Sequence, residues 1–392
     1  MATAPTSPVI LHIGLPKTGT SFLQRVLWEN RSVLADHGVH LPYRRRAEMF
    51  AAALHVIDKD YGWDPTGYEP DAAWERIRRN VQACEGTTVI SSEWLCLAPA
   101  ERAIQTLSEL GRDRVRVVLT VRDLARQLPA EWQEGVKHGR KLSFDAFLKG
   151  ILGGQGKDAL RERFWSAQDP IDVLTRWAAD LPPDRVTIVT CPPPGADRTL
   201  LWRRFAEVVG IPEGVVTLPV NDVNASLGAT QVELLRRVNK RFPRRGQEIV
   251  HRAMVKRYFG LDVLGSLSSP KAVVPATWAP VIEDTCAQWI EQLSAAGYRV
   301  VGDLQELLPA EILTANEATA PNKDSESAES VLDLSVQATT VLLQEIYRLR
   351  AENAQLKRGG SVSVRSRVGS VIRRGRRATT LRRGGLRRGR GQ

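Results

Sequence analysis

Residues 9–24 (VILHIGLPKTGTSFLQ) join a short apolar run to a turn containing Gly14, Pro16, Lys17, Thr18, Gly19, Thr20 and Ser21, and the turn opens directly into an amphipathic segment. A strand that delivers a glycine-containing turn to a helix start aims free backbone N–H groups and the positive end of the helix dipole at one point. The pattern predicts an anion cradle, with phosphate as its usual occupant; the other reading is an ordinary strand-to-helix turn with an exposed lysine. Gly14 and Gly19 have the separation found in nucleoside-triphosphate loops, but Thr20 stands where that motif places its lysine, and the lysine lies inside the turn at Lys17.

Two further positions carry chemistry. Arg122 follows residues 114–121, a β-branched run that reads as a buried parallel strand. A guanidinium there binds phosphate bidentately and keeps its charge at ordinary pH. Glu93 follows the short apolar run 87–92, whose C-terminal tip is expected beside the first turn, where open parallel sheets bind ligands. Its carboxylate reads as a general base, helped by burial beside Trp94 and opposed by Lys17, or alternatively as part of a capping box at the start of the next helix. Ser92 binds substrate or phosphate, or serves the backbone.

The sequence Lys17-Thr18-Gly19-Thr20-Ser21 resembles the 5′-phosphosulfate loop of the sulfotransferases, which use 3′-phosphoadenosine-5′-phosphosulfate as donor and carry Lys-[Thr/Ser]-Gly-Thr-[Thr/Ser] after the first strand. In that family another strand ends in Arg-[Asp/Asn]-Pro, and a serine eight residues after the arginine joins it in gripping the 3′-phosphate. Arg122 and Asp123 match this pattern, whereas Leu124 replaces the proline and Ala130 stands at the serine position. The resemblance implies that residues 16–21 and Arg122 bind the donor. Ser226, in the Asn224–Gly228 stretch before a helical-looking segment at 231–241, is the candidate to replace the missing hydroxyl, or else a plain helix cap.

The implied reaction is in-line sulfuryl transfer to a hydroxyl of a carbohydrate, glycolipid or small metabolite. Lys17 stabilises the bridging oxygen, Glu93 takes the proton, and no metal is required. The family's Arg-Lys-Gly-x-x-Gly signature is absent, which points to its bacterial or carbohydrate-type branches. Two other classes stay open. One is a P-loop kinase or NTPase with a displaced lysine, in which Asp123 serves Mg²⁺; the other is a dimeric polyanion-binding protein.

The six histidines and four cysteines show no metal-ligand spacing, and the cysteines read as reduced thiols in the core or near the surface. His12 is either a satisfied core histidine or a catalytic one, and His55 and Lys59 lie in a stretch suited to an acceptor pocket. The ten tryptophans are core packing or sugar-stacking faces.

Alternation of apolar strands and helices from residue 8 onward predicts an α/β fold. Its expected form is a three-layer, P-loop-like domain around a central parallel sheet, followed by a C-terminal helix and a basic tail. Strands are expected near 8–13, 88–92, 115–121 and 185–190, with one helix from the first loop to about Leu34 and another at 101–110. Pro129, inside the helix after Arg122, is tolerable only in the first turns or at a helix start.

The expected divisions are a catalytic domain at 1–313, a flexible linker at 314–330, an amphipathic or coiled-coil helix at 331–357 and a disordered Arg-rich tail at 358–392. In the helix, Leu342, Leu349 and Leu356 fall at d and Thr339, Ile346 and Asn353 at a, with Glu345 and Glu352 at g and Arg350 and Lys357 at e. This is the pattern of a short parallel homodimer. Residues 357–392 contain one lysine, twelve arginines and no acid; removing this +13 from the net +11 leaves −2 for the remainder. Such a tail is expected to bind anionic lipid or another polyanion. The start of the chain lacks a signal-peptide pattern, so the protein is expected to be cytoplasmic and, through its tail, peripheral at the inner face of the membrane.

Overall fold

Buried β-branched strands organise the first of two units, Met1–Leu332 and Asp333–Gln392, in a computed structural model that describes residues 7–59, 67–154, 159–219, 227–242, 247–309 and 328–357. In chain order the first elements are β1 (Val9–His12), α1 (Thr20–Glu29), α2 (Arg31–Asp36), β2 (Val39–His40), α3 (Arg46–Val56), α4 (Pro70–Ala83), β3 (Thr87–Ser91), α5 (Ala100–Leu110), β4 (Val115–Val121) and α6 (Leu124–Lys137). There follow α7 (Phe144–Leu152), α8 (Ala159–Gln168), α9 (Pro170–Ala178), β5 (Val186–Thr190), α10 (Leu200–Val209), α11 (Ala229–Arg241) and α12 (Glu248–Val250). A wide π-helical stretch (His251–Val263) leads to α13 (Ala279–Ala295), β6 (Arg299–Val301) and α14 (Ala328–Lys357).

The six strands form one all-parallel sheet in the order β2-β3-β1-β4-β5-β6. Alternation along the strands feeds two cores. Val9, Leu11, Val117 and Leu119 pack with Ala52, Trp74, Leu107 and Trp177 from α3, α4, α5 and α9. Ile10, Val89, Val118 and Val189 face the opposite way, onto Leu23 and Val26 of α1 and Phe205 and Val209 of α10. Helices therefore cover both faces, as a parallel sheet requires.

Strand order places the functional end. From β1 the chain crosses to the β2 edge and returns through β3, whereas from β4 it moves outward to β5 and β6. The connections after the adjacent strands β1 and β4 thus leave in opposite directions, and the crevice between their carboxyl ends is the switch point where such sheets take ligands. Residues 13–19 and Arg122 both sit there.

Several sequence expectations are corrected. The first helix stops at Glu29 because Asn30 turns its amide to the chain, donating to the Val26 and Thr217 carbonyls (2.8 and 3.0 Å) and accepting from Thr217 N–H (2.8 Å). Strands β2 and β6, of two and three residues, were not expected. Helix α6 starts at Leu124 and continues through Pro129, so the proline is neither at the helix start nor confined to the opening turn. Helix α14 opens at Ala328, inside the stretch expected to be linker. The basic tail at 358–392 and most of the linker lie outside the described residues. Among the described residues, no helix is long and apolar enough to cross a membrane.

Candidate functional site

The first turn departs from β1 with three residues in the left-handed region: Gly14 (φ 95°), Lys17 (φ 65°) and Gly19 (φ 83°). At Gly14 a side chain would also meet the Glu93 backbone, with an added Cβ 3.0 Å from Glu93 Cα, so glycine lets β3's tip close against the loop. Gly19 hands the chain to α1, whose N-terminus has no side-chain cap. Phe22 N–H donates to the Gly19 carbonyl (2.9 Å), so the N–H groups of Thr20 and Ser21 and the helix dipole are left for another acceptor.

The loop is stitched to β4. Leu15 N–H donates to the Thr120 carbonyl (2.8 Å), and Thr120 N–H donates to the Gly14 carbonyl (2.6 Å). Side chains add a directional chain. Thr18 Oγ1 donates to the Leu15 carbonyl (2.5 Å), which can only accept. Thr120 Oγ1 must then donate to Thr18 Oγ1 (2.5 Å), His12 Nε2 to Thr120 Oγ1 (3.2 Å), and Ser91 Oγ to His12 Nδ1 (2.8 Å). Complete burial pushes the His12 imidazole down to about 3, so the ring is neutral and Nδ1 is the acceptor. His12 is thus a satisfied core histidine. The Thr18 hydroxyl points inward, which leaves only its backbone N–H for a ligand.

Lys17 donates to Glu134 Oε2 of α6 (2.9 Å). Around the same carboxylate stand His138 Nε2 (3.0 Å), Lys256 Nζ (3.4 Å) and Lys137 Nζ (4.0 Å). Burial would raise the Glu134 carboxyl, but the His138 hydrogen bond and the three ammonium groups hold it far below the usual carboxylate range. Three lysines on one carboxylate leave a positive surplus beside the loop. One turn earlier, burial pushes Glu131 up, against the pull of Lys17 and Arg140.

Arg122 stands between β4 and α6, where Nη2 donates to the Arg126 carbonyl (2.8 Å). That carbonyl lies in the turn that Pro129 shares, where the proline cannot donate to the Ala125 carbonyl. Arg122 Nε is buried without a hydrogen-bond partner among the described residues, as are both amide atoms of Gln127. Desolvation pulls the guanidinium's pKa down, opposed by the nearby Asp123 and Glu131. Asp123 caps α6 by accepting from Arg126 N–H (2.9 Å) and is also paired with the Arg126 guanidinium, so it is not a free metal ligand. Among the described residues, no group of three His, Cys, Asp or Glu side chains is placed to hold a metal. All four cysteines are free thiols, and Cys191 Sγ donates to the Thr18 carbonyl (3.1 Å).

Glu93 opens a 3₁₀ turn (Glu93–Leu97) that Ser92 caps by accepting from Trp94 N–H (3.4 Å). The cap is therefore Ser92, and the Glu93 carboxylate instead accepts from Gln24 Nε2 of α1 (2.8 Å). Glu93 lines a cavity of about 320 Å³ with Arg46, Phe50 and Trp94. His55 and Lys59 do not line it; His55 pairs with Asp71 (2.7 Å). Trp94 is at this cavity, whereas Trp74, Trp132, Trp177, Trp202 and Trp289 are core.

Ser226 lies outside the described residues. Two residues on, Gly228 is the N-cap of α11, which has no side-chain cap, and the Leu227 carbonyl accepts from Gln133 of α6 (2.6 Å). Glu131, Glu134, Lys256 and Arg46 went unnoticed in the sequence because each lies on a helix, without a local motif. No family model, curated protein or solved structure matches this chain.

Proposed function

We propose that the first unit is a P-loop-like sulfotransferase that uses 3′-phosphoadenosine-5′-phosphosulfate as donor. One observation carries the reading: the Lys17 loop and the Arg122 guanidinium, with its buried unpartnered Nε, lie at the carboxyl ends of adjacent strands on either side of the switch point. A 5′-phosphosulfate on the uncapped start of α1, with the 3′-phosphate on Arg122, satisfies both. The donor set is basic and hydroxylic, which fits the nucleotide; the loop's N–H groups, Lys17, Thr20 and Ser21 would hold the sulfated end.

In the reaction an acceptor oxygen attacks sulfur, a new S–O bond forms, and the S–O bond to the bridging phosphate oxygen breaks. Adenosine 3′,5′-bisphosphate departs with the bond's electron pair, and the acceptor proton passes to Glu93. Lys17, released from Glu134, stabilises the charge that grows on the bridging oxygen. Glu134 keeps His138, Lys137 and Lys256 as partners, so the exchange strands no carboxylate.

Calorimetric titration tests the reading. Adenosine 3′,5′-bisphosphate is expected to bind without metal and more tightly than ATP with Mg²⁺, and Lys17→Ala is expected to weaken it about tenfold or more. Preference for ATP with Mg²⁺ would favour a kinase or NTPase and overturn the reading. The same proposal takes α14 as a homodimerising helix and residues 358–392 as an arm for anionic lipid.

A further inference from the structure

We infer that the cavity in front of Glu93 is a binding site for an anionic, hydroxyl-bearing ring of the uronic-acid kind, held at its charged group by the Arg46 guanidinium and presenting a hydroxyl to Glu93. The identification of that hydroxyl as a sulfuryl acceptor rests on the proposed function; the binding does not.

Size comes first. A volume of about 320 Å³ is at the small end of ligand pockets and takes one ring, or the terminal ring of a longer molecule. Its walls are aromatic. Trp94 stands edge-on to Phe50 (centroids 5.3 Å apart) and Tyr43 is stacked on Trp28 (5.7 Å), so both are held as flat apolar faces against which a sugar's C–H face packs.

Charge decides the rest. Glu93 and Arg46 line the same cavity but do not pair. Glu93 is occupied by Gln24, while the Arg46 guanidinium has neither a hydrogen bond nor an ion pair among the described residues. Opposite charges that share a small cavity without meeting leave room for a ligand between them. Arg44 and Arg45 precede Arg46, and all three are exposed, so the chain that leads into the cavity-lining Arg46 carries a run of cations. The acid of the first turn of α3, Glu48, is buried and committed to Arg76 Nε (2.7 Å) and Arg44 N–H (2.7 Å), so it does not neutralise them. A cationic ligand would be repelled, and a neutral ring would leave Arg46 unused. An anion on the side of the ring away from the reacting hydroxyl meets Arg46 and stays clear of Glu93.

The test is calorimetry on the full chain with phenyl β-D-glucuronide, phenyl β-D-glucoside and adenosine 3′,5′-bisphosphate as separate ligands. The glucuronide is expected to bind about tenfold or more tighter than the glucoside, as one charge-assisted contact allows. Arg46→Ala should erase that preference and Arg46→Lys should keep most of it, with bisphosphate affinity unchanged in both. Equal binding of the two glycosides, binding of neither, or a preference that survives Arg46→Ala would overturn the inference. Glucuronide binding without bisphosphate binding would sink the donor assignment alone and leave this pocket standing.

Discussion

Lys17, Arg122 and Glu93 were visible in the sequence because each lies within a few residues of the end of a short apolar run, and strand ends in a parallel sheet converge. Their partners were not visible. Glu134, which holds Lys17, is 117 residues away, and Gln24 meets Glu93 across 69. Nor could spacing reveal that the Thr18 hydroxyl turns inward, since that depends on Thr120 in the neighbouring strand. Under the proposed function two acids compete for the role of base: Glu93, which lines the cavity, and Glu131, which burial raises near Lys17. Geometry favours Glu93, because a base must reach the acceptor's proton. Glu93→Gln should cut sulfuryl transfer by about 10²-fold or more and leave bisphosphate binding intact, whereas Glu131→Gln should retain most of the activity. Steady-state rates with a common acceptor decide between them, and the reverse order would move the base to α6.

At the scale of elements, β1, β3, β4 and β5 were legible because their apolar runs are long enough to stand out, and β4 matches the expected 115–121. Strands β2 and β6 are too short to have a period, and each exists because a neighbour supplies its ladder. The break between α1 and α2 is tertiary in origin, since Asn30 answers to Thr217.

The chain Ser91–His12–Thr120–Thr18, buried with a neutral His12, ties β3, β1, β4 and the loop together. Its pKa is lowered from 6.5 in the unfolded chain to about 3 in the fold, so the unfolded state takes the proton first. The stability that neutral His12 contributes is therefore complete above pH 6.5 and is lost as pH falls toward 3. The slope from this residue is about 1.4 kcal/mol per pH unit at most. His12→Asn, which cannot titrate, should flatten that part of the curve between pH 6 and 4.5 in denaturant melts. An unchanged slope would mean that His12 is charged or solvated in the fold.

At the scale of the whole molecule, the chain joins an α/β unit to a second unit whose described part belongs to α14. The helix was legible from the heptads, and Ile346, Leu349 and Leu356 at a and d are 45, 45 and 50% exposed on the single chain. The expected role of the g-position acids was not, because Arg348 pairs with both Glu345 and Glu352 (2.6 Å to the latter) along the same helix. In the proposed dimer, pairing would therefore rest on the a and d positions, Asn353 among them. Light scattering should give a dimer for the full chain and a monomer for Leu349→Lys; a dimer that persists in the variant would place the interface elsewhere.

The central claim is that the Lys17 loop and Arg122 grip opposite ends of one adenine nucleotide. Comparing adenosine 3′,5′-bisphosphate with 5′-AMP, which lacks the 3′-phosphate, in the wild type, Lys17→Ala and Arg122→Met tests it most directly. Lys17→Ala should weaken both ligands, whereas Arg122→Met should cost the bisphosphate about tenfold or more and leave 5′-AMP unaffected. Equal losses on the two ligands in Arg122→Met, or none on either, would contradict it.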